Sequence, residues 1–267
     1  MPHVLQLSDP HLLADPAGRF RGRPPLELLR HGLEQALGQA AAGGTAVDLL
    51  LISGDLCQDE SWGGYARLRE LLESLPLPVA LLPGNHDHPL LLRAVLGRRA
   101  CLAPAALSLG DWRLLLLDSH RPGSLAGHLG AAQRDWLRRQ LQAAPAPGPV
   151  LVAVHHPPLP IGAAGLDAIA LEDGAALLAL LREGGARGGL VFGHVHQHWQ
   201  GCLADRTDFP LLGCPSTLIP FGPVQPCPLA RADDPGGRLL LLGAGGEIRH
   251  RLLRWSLPAT PSVGSGV

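Results

Sequence analysis

Residues 188–201 read GGLVFGHVHQHWQG, an apolar run followed at once by a cluster of histidines. The histidines stand at alternate positions, at His194, His196 and His198. If a strand continued through them, all three imidazoles would lie on one face. Gly193 ends the apolar run and lets the backbone turn sharply there. We therefore expect the strand to end at Gly193, with His194 and His196 pointing to different places and His198 left outside the site.

Similar apolar runs recur along the chain and alternate with segments of helical spacing. The runs cover residues 4–7, 49–52, 79–82, 114–117, 150–154 and 190–192. The segments with apolar residues near every 3.6 positions cover residues 25–42, 66–75, 129–143 and 166–183. This alternation predicts an α/β protein with a largely parallel sheet whose strands are buried on both faces. Two later runs, 211–212 and 239–242, predict a β-type ending whose strands pair antiparallel.

The length and composition favour one domain with a substantial core. The chain has 267 residues, 46% of them hydrophobic, which is enough for a single large domain over residues 1–257. Residues 258–267 have the composition of a flexible C-terminal tail. The sequence lacks a charged signal-peptide start and any apolar run near the roughly 20 residues of a membrane span. We therefore expect a cytoplasmic protein that does not enter a membrane.

Charge and cysteine content exclude several classes of function. All 22 basic residues are arginine, which rules out lysine Schiff-base chemistry and a P-loop lysine. The net charge of −1 comes without a basic stripe, so long nucleic acid is not an expected partner. The five cysteines are scattered and form no CxxC pair, so a thiolate zinc site is not expected either. The oligomeric state is left open, with a homodimer as one alternative.

Polar clusters follow five of the apolar runs directly. They occupy residues 8–11, 53–55, 83–87, 155–157 and 193–196. Ligands of open α/β sheets bind beyond the carboxyl ends of the strands, so these clusters are expected to meet at one sheet edge. Their oxygen and nitrogen donors, without sulfur, suit hard or borderline metal ions. Seven donors are too many for one tetrahedral zinc ion but suit two metal ions that share a carboxylate.

Taken in order, the clusters resemble those of the calcineurin-like metallophosphoesterases. That family has the pattern D-x-H, GD, GNH[DE], H and GHxH. This chain has Asp9-Pro10-His11, Gly54-Asp55, Gly84-Asn85-His86-Asp87, His155 and Gly193-His194-Val195-His196. Any single block is weak evidence, but the ordered set is specific. The resemblance implies a four-layer αββα fold, a β-sandwich of mixed, largely parallel sheets flanked by helices.

The resemblance also implies a role for each matching residue. Two metal ions, each iron, manganese or zinc, would be bound. The first ion would take Asp9, His11 and His196. The second would take Asn85, His155 and His194, and Asp55 would bridge the two. His86 and Asp87 would be catalytic: His86 faces the substrate phosphate, and Asp87 orients His86 or a metal ligand. A hydroxide that bridges the metals would attack phosphorus.

Finer features resemble bacterial class III cyclic-nucleotide phosphodiesterases. These are the start SDPHLL and the segments HHPPLPIG and CPSTLIPFGP. Gln58 stands where purple acid phosphatases carry an iron-binding tyrosine. The implied reaction is hydrolysis of a small phosphodiester, with 3′,5′-cyclic AMP to the 5′-monophosphate as the leading hypothesis. The alternatives are a hydrolase of another phosphodiester or monoester (a glycerophosphodiester, nucleotide or general phosphatase) and a non-catalytic scaffold. The intact ligand set and His86 argue against a scaffold.

Candidate substrate contacts lie outside the metal motifs. They are His86, Arg19, Arg21, Thr217 and Phe221. The arginines could bind a phosphate or carboxylate, and the other reading of them is a solvated loop. Thr217 and Phe221 could contact a nucleobase, or they could serve turn and core packing. Among the neighbouring histidines, His155 is the predicted ligand, His156 a hydrogen-bonding neighbour and His198 a rim or surface residue.

Overall fold

The computed structural model describes residues 1–142 and 148–258, in which two six-stranded sheets pack face to face between helices. In chain order the strands are β1 (His3–Leu7), β2 (Leu49–Ile52), β3 (Val79–Leu81), β4 (Cys101–Leu102), β5 (Ala105–Leu109), β6 (Trp112–Leu116), β7 (Val150–Val154), β8 (Gly188–Phe192), β9 (Trp199–Leu203), β10 (Arg206–Gly213), β11 (Gly236–Leu242) and β12 (Ile248–Arg254). The helices are α1 (Pro25–Ala42), α2 (Trp62–Glu73), α3 (Pro89–Leu96), α4 (Gly130–Gln142), α5 (Ala164–Asp167) and α6 (Gly174–Glu183). Apart from residue 258, the predicted tail lies outside the described residues.

Both sheets are mixed: the first has antiparallel strands at one edge, and the second has them at both edges. The first sheet has the order β12-β11-β1-β2-β3-β4, in which β1 to β4 are parallel neighbours. The second has the order β5-β6-β7-β8-β10-β9, in which β6, β7, β8 and β10 are parallel. All six predicted apolar runs of the α/β pattern are strands. This confirms the predicted class of mixed, largely parallel sheets.

Three apolar cores hold the four layers together. The core between the sheets joins Val4 and Leu51 of the first sheet to Leu114, Leu151 and Val191 of the second. A second core packs α1, α2 and α3 on the outer face of the first sheet, and a third packs α4 and α6 on the second sheet. Every residue of β2, β7 and β8 is buried, which explains their continuous apolar runs. The four-layer αββα prediction is confirmed.

The helix predicted over residues 166–183 is broken into α5 and α6. Between them, Asp173 accepts hydrogen bonds from the backbone N–H groups of Leu129 (3.0 Å) and Gly130 (3.1 Å). Glu172 N–H donates to the Gly127 carbonyl at 2.9 Å. These bonds tie residues 171–173 to the loop before α4, so the chain leaves the helical path there. The helical spacing in the sequence carries no sign of this tertiary contact.

The two C-terminal runs are strands, but they do not pair with each other. Residues 211–212 lie in β10, which pairs antiparallel with β9 in the second sheet. Residues 239–242 lie in β11, which pairs antiparallel with β1 and β12 in the first sheet. The chain thus returns from the second sheet to the first, with Leu239 opposite Leu5. None of the helices in the described ranges is long and apolar enough to cross a membrane.

Candidate metal centre

The five polar loops meet at an edge that both sheets share. The loops after β1, β2 and β3 come from the first sheet, and those after β7 and β8 come from the second. Two hydrogen bonds join the groups: His155 Nδ1 donates to the Ser53 carbonyl (2.8 Å), and His194 N–H donates to Asp9 Oδ1 (3.2 Å). The sequence predicted that the clusters would meet at the edge of one sheet. They meet instead where the edges of two sheets lie side by side.

One group of predicted ligands is fully buried at this edge. Asp9, His11, Asp55 and His196 each offer a ligand atom, and these atoms lie within 4.8 Å of one another. His196 Nε2 lies 3.2 Å from His11 Nε2 and 3.3 Å from Asp9 Oδ1. His11 Nε2 is 3.7 Å from Asp55 Oδ2. The structure thus brings both nitrogen ligands of the first predicted metal ion together with two carboxylates.

The remaining predicted ligands form a second group beside the first. Asn85 Oδ1 lies 3.0 Å from His194 Nδ1 and 3.3 Å from His155 Nε2. His155 Nε2 is 3.4 Å from Asp55 Oδ1. Asp55 therefore turns one carboxylate oxygen towards each group.

The arrangement of lone pairs fits bound cations. The Nδ1–H of three rings donates to an oxygen: His11 to Gln58 Oε1 (2.8 Å), His196 to the Ile219 carbonyl (2.9 Å) and His155 to the Ser53 carbonyl (2.8 Å). With the proton on Nδ1, each Nε2 presents a lone pair to the other acceptors of the site. Lone pairs about 3 Å apart repel one another unless a proton or a metal ion lies between them. Burial would lower the pKa of His155, but the adjacent Asp55 raises it to about 9, so without metal a proton takes this place at His155. The donor set is therefore suited to metal ions that accept nitrogen and oxygen.

Electrostatic interactions keep the buried carboxylates ionised. Burial alone would raise the pKa of Asp9, but the adjacent His196 lowers it below its ordinary value. Burial is likewise outweighed at Asp55, whose pKa is held well below the ordinary value by His155. Burial lowers the pKa of His11 to about 4 and that of His194 well below the usual range. Both rings are therefore neutral near pH 7, the form in which imidazole binds metal.

The backbone is left-handed at five of the predicted ligands. The φ angles are 53° at Asp9, 48° at His11, 50° at Asp55, 67° at His194 and 52° at His196. This region is uncommon for residues other than glycine and costs on the order of 1–3 kcal/mol per residue. Surrounding hydrogen bonds hold the loops in place: Asp9 N–H donates to the Gly54 carbonyl (3.1 Å), and His11 N–H donates to the Asp55 carbonyl (2.9 Å).

Glycines at this edge serve two different purposes. Gly54 has φ 102°, a conformation that favours glycine. The backbone of Gly193 is not in the left-handed conformation. A Cβ at this position would overlap Ser8 Oγ and lie 2.6 Å from the Ser53 carbonyl oxygen. Gly193 is therefore required for close packing between the sheets, whereas the reversal of side-chain direction occurs at the histidines that follow.

The three histidines of the opening stretch have three different environments. β8 ends at Phe192, after which His194 lies with the Asn85 group and His196 with the Asp9 group. His198 is only 3% exposed, and its Nδ1 accepts a hydrogen bond from Arg238 Nη2 at 3.1 Å. The prediction of a rim or surface position for His198 is wrong, because Arg238, 40 residues later, covers it from β11.

His86 lies at the mouth of the site, whereas Asp87 is buried beneath it. The His86 backbone N–H donates to Asp55 Oδ1 at 3.0 Å. The Asp87 carboxylate accepts four hydrogen bonds, from the backbone amides of Leu56 (3.0 Å), Cys57 (3.0 Å) and Gly84 (2.8 Å) and from the Tyr65 hydroxyl (3.0 Å). None of these bonds reaches the His86 ring, which argues against an orienting contact to His86; the orientation of a metal ligand and a part in catalysis stay predictions for Asp87. Asp87 connects the loops that carry Asp55 and Asn85.

His156 has both ring nitrogens occupied. Its Nδ1 lies 2.8 Å from Ser119 Oγ, and its Nε2 lies 3.1 Å from the Leu125 carbonyl oxygen. Burial and the neighbouring His155 lower the pKa of His156 to about 3. The ring nitrogens of His156 thus hold the loop over residues 119–125, while His155 points its Nε2 at Asn85 and Asp55.

The predicted substrate residues are divided between the rim and the interior. Phe221 stacks on His196 with ring centroids 4.1 Å apart. The Arg21 guanidinium lies 5.6 Å from the centroids of both Phe221 and Phe20, and Phe20 stacks on His11. Arg21 therefore covers the aromatic rings beside the first ligand group and stays exposed at the rim.

Arg19 and Thr217 lie farther from the open site. The Arg19 guanidinium donates to the Gly22 carbonyl of its own loop at 3.0 Å. Thr217 is 1% exposed, and its hydroxyl faces the Ser8 carbonyl at 3.5 Å. Burial therefore argues against a substrate contact by Thr217 and favours the packing or turn role that the sequence left open.

A cavity of about 580 Å³ opens beside His86. Its lining includes Asn85 of the metal centre together with Glu60, His88, Leu90, His120 and Leu125. Leu90 and Leu125 are largely exposed. The sequence interpretation missed the rest of this lining, because the other residues come from loops distant in the chain that carry no motif. The sequence also assigned Gln58 no role of its own, beyond the absence of an iron-binding tyrosine at that position. Gln58 nevertheless contacts the predicted ligand His11.

Comparison with known proteins agrees with the geometry. Residues 2–198 match the family model of the calcineurin-like phosphoesterases. The probable cyclic nucleotide phosphodiesterase of Synechococcus sp. strain WH7803 is 50% identical over 264 residues, covering 96% of this chain and 97% of the relative. The 3′,5′-cyclic adenosine monophosphate phosphodiesterase CpdA of Pseudomonas aeruginosa is 34% identical over 252 residues, covering 94% of this chain and 89% of the relative.

The fold has a solved counterpart in a dimetal phosphatase from Danio rerio. The two structures superpose with a TM-score of 0.63 at 17% identity, over 96% of this chain and 99% of the other. This likeness concerns the fold alone. Together, the family match over most of the chain, the 50% identical relative and the buried His/Asp clusters give one conclusion. The chain belongs to the calcineurin-like phosphoesterase family.

Proposed function

We propose that this metal-dependent phosphoesterase hydrolyses 3′,5′-cyclic AMP, or a closely similar cyclic nucleotide, to the 5′-monophosphate. Relatives that match nearly the whole chain carry the names of cyclic nucleotide phosphodiesterases. The observation that carries the proposal to this chain is the cavity beside the metal centre. The cavity volume of about 580 Å³ lies within the range of small-molecule sites. The cavity therefore suits a small substrate whose phosphate carries one nucleoside.

The proposed ligands follow the two groups of donor atoms. Asp9, His11 and His196 would hold one ion, and Asn85, His155 and His194 would hold the other. Asp55 would bridge, which is supported by its two oxygens facing His11 and His155 separately. The donors accept manganese, iron or zinc alike.

The chemistry divides between the metals and the chain. When bound, two metal ions would supply a water-derived nucleophile at neutral pH and offset the negative charge of the phosphate. His86 would donate a hydrogen bond to a phosphoryl oxygen or to the leaving oxygen, for which its place between Asp55 and the cavity is suited. Leu90, Leu125 and His120 would surround the nucleoside part of the substrate and exclude water from one side.

A substrate panel with defined metals tests the proposal. The purified chain, reconstituted separately with Mn²⁺, Fe²⁺ and Zn²⁺, is given cyclic AMP, cyclic GMP, a glycerophosphodiester, bis(p-nitrophenyl) phosphate and p-nitrophenyl phosphate. We expect 5′-AMP from cyclic AMP at a kcat/KM at least tenfold above that for the phosphomonoester. Rapid hydrolysis of another ester with no 5′-AMP formed would contradict the cyclic nucleotide assignment.

Hydrolysis of another small phosphodiester is the second candidate. The buried donor groups that favour a metal centre make no distinction among phosphodiesters. In that case the glycerophosphodiester or the aryl diester would be the best substrate of the panel.

Replacing His86 by Ala distinguishes an enzyme from a scaffold. Because the His86 ring is no predicted ligand, we expect H86A to keep its metal content and to lose at least 100-fold in kcat, within the usual range for general acid–base catalysis. The measurement pairs elemental analysis with turnover of cyclic AMP. The matched control is His88→Ala, two residues away on the cavity wall, for which we expect a change mainly in KM. Equal rates for wild type and H86A would contradict a catalytic role.

A further inference from the structure

Gln58 connects two histidines that have different predicted tasks. Its side chain is half-buried, with Oε1 2.8 Å from His11 Nδ1 and Nε2 3.2 Å from His86 Nδ1. Its backbone N–H donates to the Leu12 carbonyl at 2.8 Å. The residue is thus fixed to the loop that carries His11, and its amide group spans the gap to His86.

The two ends of the amide group are chemically different, and the surroundings decide which end faces which ring. His11 Nε2 points into the acceptor-rich centre, 3.2 Å from His196 Nε2, so its lone pair faces inward and its proton is on Nδ1. That Nδ1–H requires an acceptor, which only the Oε1 end of Gln58 supplies. The Nε2 end must then face His86. Because an amide NH₂ only donates, His86 Nδ1 accepts and the His86 proton is on Nε2.

His86 has no competing side-chain partner that could reverse this arrangement. Among residues 1–142 and 148–258, Gln58 is the one side chain that hydrogen-bonds to the His86 ring. The neighbouring carboxylate of Asp87 is turned away and bonded to the Leu56, Cys57 and Gly84 amides and to Tyr65. The orientation of the His86 ring thus depends on the amide group.

We propose that Gln58 is a positioning residue whose single amide sets the tautomers of two histidines, keeping His11 Nε2 free for metal and making His86 Nε2–H a hydrogen-bond donor towards the cavity. The consequence for catalysis rests on the proposed function. With its proton on Nε2, His86 donates to the phosphate or to the leaving oxygen. A ring with its proton on Nδ1 would turn a lone pair to the substrate instead.

Two substitutions separate the two ends of the amide. Gln58→Glu keeps an acceptor for His11 but replaces the donor to His86 by a second acceptor, so His86 Nδ1 must carry a proton. Gln58→Met keeps the length of the side chain and removes both hydrogen bonds. The matched control is Gln39→Glu in α1, which loses a donor to the Arg254 carbonyl far from the site.

The decisive readout is the protonation pattern of His86 in the full chain loaded with diamagnetic Zn²⁺. Long-range ¹H–¹⁵N NMR, assigned with the His86→Ala spectrum, reports which ring nitrogen carries the proton. We expect a bare Nδ1 and a protonated Nε2 in wild type and Q39E, and a protonated Nδ1 in Q58E. A protonated Nδ1 in wild type, or a bare Nδ1 in Q58E, would overturn the proposal.

Metal binding and kinetics test the two ends independently. Mn²⁺ titration should give Q58E an affinity within about threefold of wild type and Q58M one at least tenfold weaker, as for other residues that orient metal ligands. With cyclic AMP, whose alkoxide leaves poorly, Q58E should lose at least 100-fold in kcat at a pH where NMR shows its His86 ring protonated on Nδ1 alone, because both nitrogens of a charged ring would still donate. With bis(p-nitrophenyl) phosphate, whose phenolate needs no proton, the loss should stay below tenfold. Equal losses on both substrates would contradict donation from His86 to the leaving oxygen.

These readouts distinguish a failure of the inference from a failure of the proposed function. If cyclic AMP is not a substrate, the NMR pattern and the Mn²⁺ affinities still test Gln58, and the aryl diester is then compared with whichever alkyl ester of the panel is hydrolysed. If cyclic AMP is hydrolysed but Q58E leaves the His86 pattern unchanged, the proposed function stands and the inference falls.

Discussion

His155, His156 and His194 lie close enough to share a metal ion, yet the ring nitrogens of the adjacent His155 and His156 have different partners. His155 Nε2 faces Asn85 and Asp55, whereas the His156 nitrogens are bonded to Ser119 and Leu125. We expect His155→Gln to reduce the metal content from two ions to one per chain and to abolish most activity. His156→Gln should keep both ions and lower the melting temperature instead. Elemental analysis and thermal unfolding measure both effects, and loss of metal from H156Q alone would reverse the assignment.

The buried His198 and the half-buried His250, both beside Arg238, make stability depend on pH. Burial, with Arg238 adjacent, lowers the pKa of both His198 and His250 to about 4. In the unfolded chain these rings titrate near pH 6.5. The unfolded state therefore binds protons first as the pH falls, and stability present above pH 6.5 is lost towards pH 4, by about 1.4 kcal/mol per pH unit for each ring.

Replacing His198 by Gln tests this dependence. Glutamine keeps an acceptor for Arg238 but does not titrate. Between pH 7 and pH 5 the loss in unfolding free energy should be about 2 kcal/mol smaller in H198Q than in wild type. Urea unfolding of the metal-free chain measures the difference, with His128→Gln as the control at an exposed position. The same pH dependence in H198Q and wild type would show that His198 remains accessible to protons in the folded chain.

Residues of the site differ in how far they could be predicted. Asp9, His11, Asp55, Asn85, His155, His194 and His196 follow strands and belong to an ordered pattern, so local sequence is enough to propose them. The burial of His198 depends on Arg238, and that of Thr217 on Ser8, each brought close by a strand distant in the chain. A single sequence carries no sign of such contacts.

At the scale of elements, hydrogen bonds to the Asp87 carboxylate connect two loops and a helix. The carboxylate holds amides in the loops after β2 and β3 and the hydroxyl of Tyr65 in α2. We expect Asp87→Asn to lower the unfolding free energy by about 2–4 kcal/mol and to weaken metal binding, because an NH₂ group replaces one carboxylate oxygen that accepts from buried amides. Burial and the neighbouring Asp55 raise the pKa of Asp87 to about 7, so the loss should be measured above that pH. The exposed control Asp59→Asn should cost about 1 kcal/mol or less, the usual net contribution of one hydrogen bond, because Asp59 accepts from the Ala14 N–H and the Ser61 hydroxyl at the surface. Chemical denaturation gives both values; a wild-type stability for D87N would contradict this connecting role.

The strands that could be predicted from the sequence are those buried on both faces, because such strands give continuous apolar runs. The runs in β1, β2, β7 and β8 are continuous because those strands lie between layers. β5 alternates and is half-exposed, and α3 spans only eight residues after His88, so neither produced a pattern strong enough to recognise. The break between α5 and α6 follows from the bonds of Asp173 to the loop before α4, which spacing alone does not report.

For the whole molecule, we propose that residues 1–257 fold as one unit, because the ends of the chain share a sheet. β11 pairs with β1 and β12, and Leu239 and Trp255 belong to the core beneath α1. A chain ending at residue 235 should therefore show no cooperative unfolding transition. A chain ending at residue 257 should keep the wild-type melting temperature. Calorimetry distinguishes them, and a cooperative transition in the shorter chain would indicate two independent units.

The left-handed backbone at five proposed ligands also has an evolutionary consequence. A residue with a Cβ is retained in that conformation only while its side chain is needed, whereas glycine and asparagine adopt it with little strain. In a descendant released from selection for catalysis, these positions should drift first to glycine or asparagine and gain stability in doing so. Valine or isoleucine should not accumulate there. Backbone strain, as well as the loss of metal binding and catalysis, would thus decide the order in which such a lineage loses its metal-binding residues.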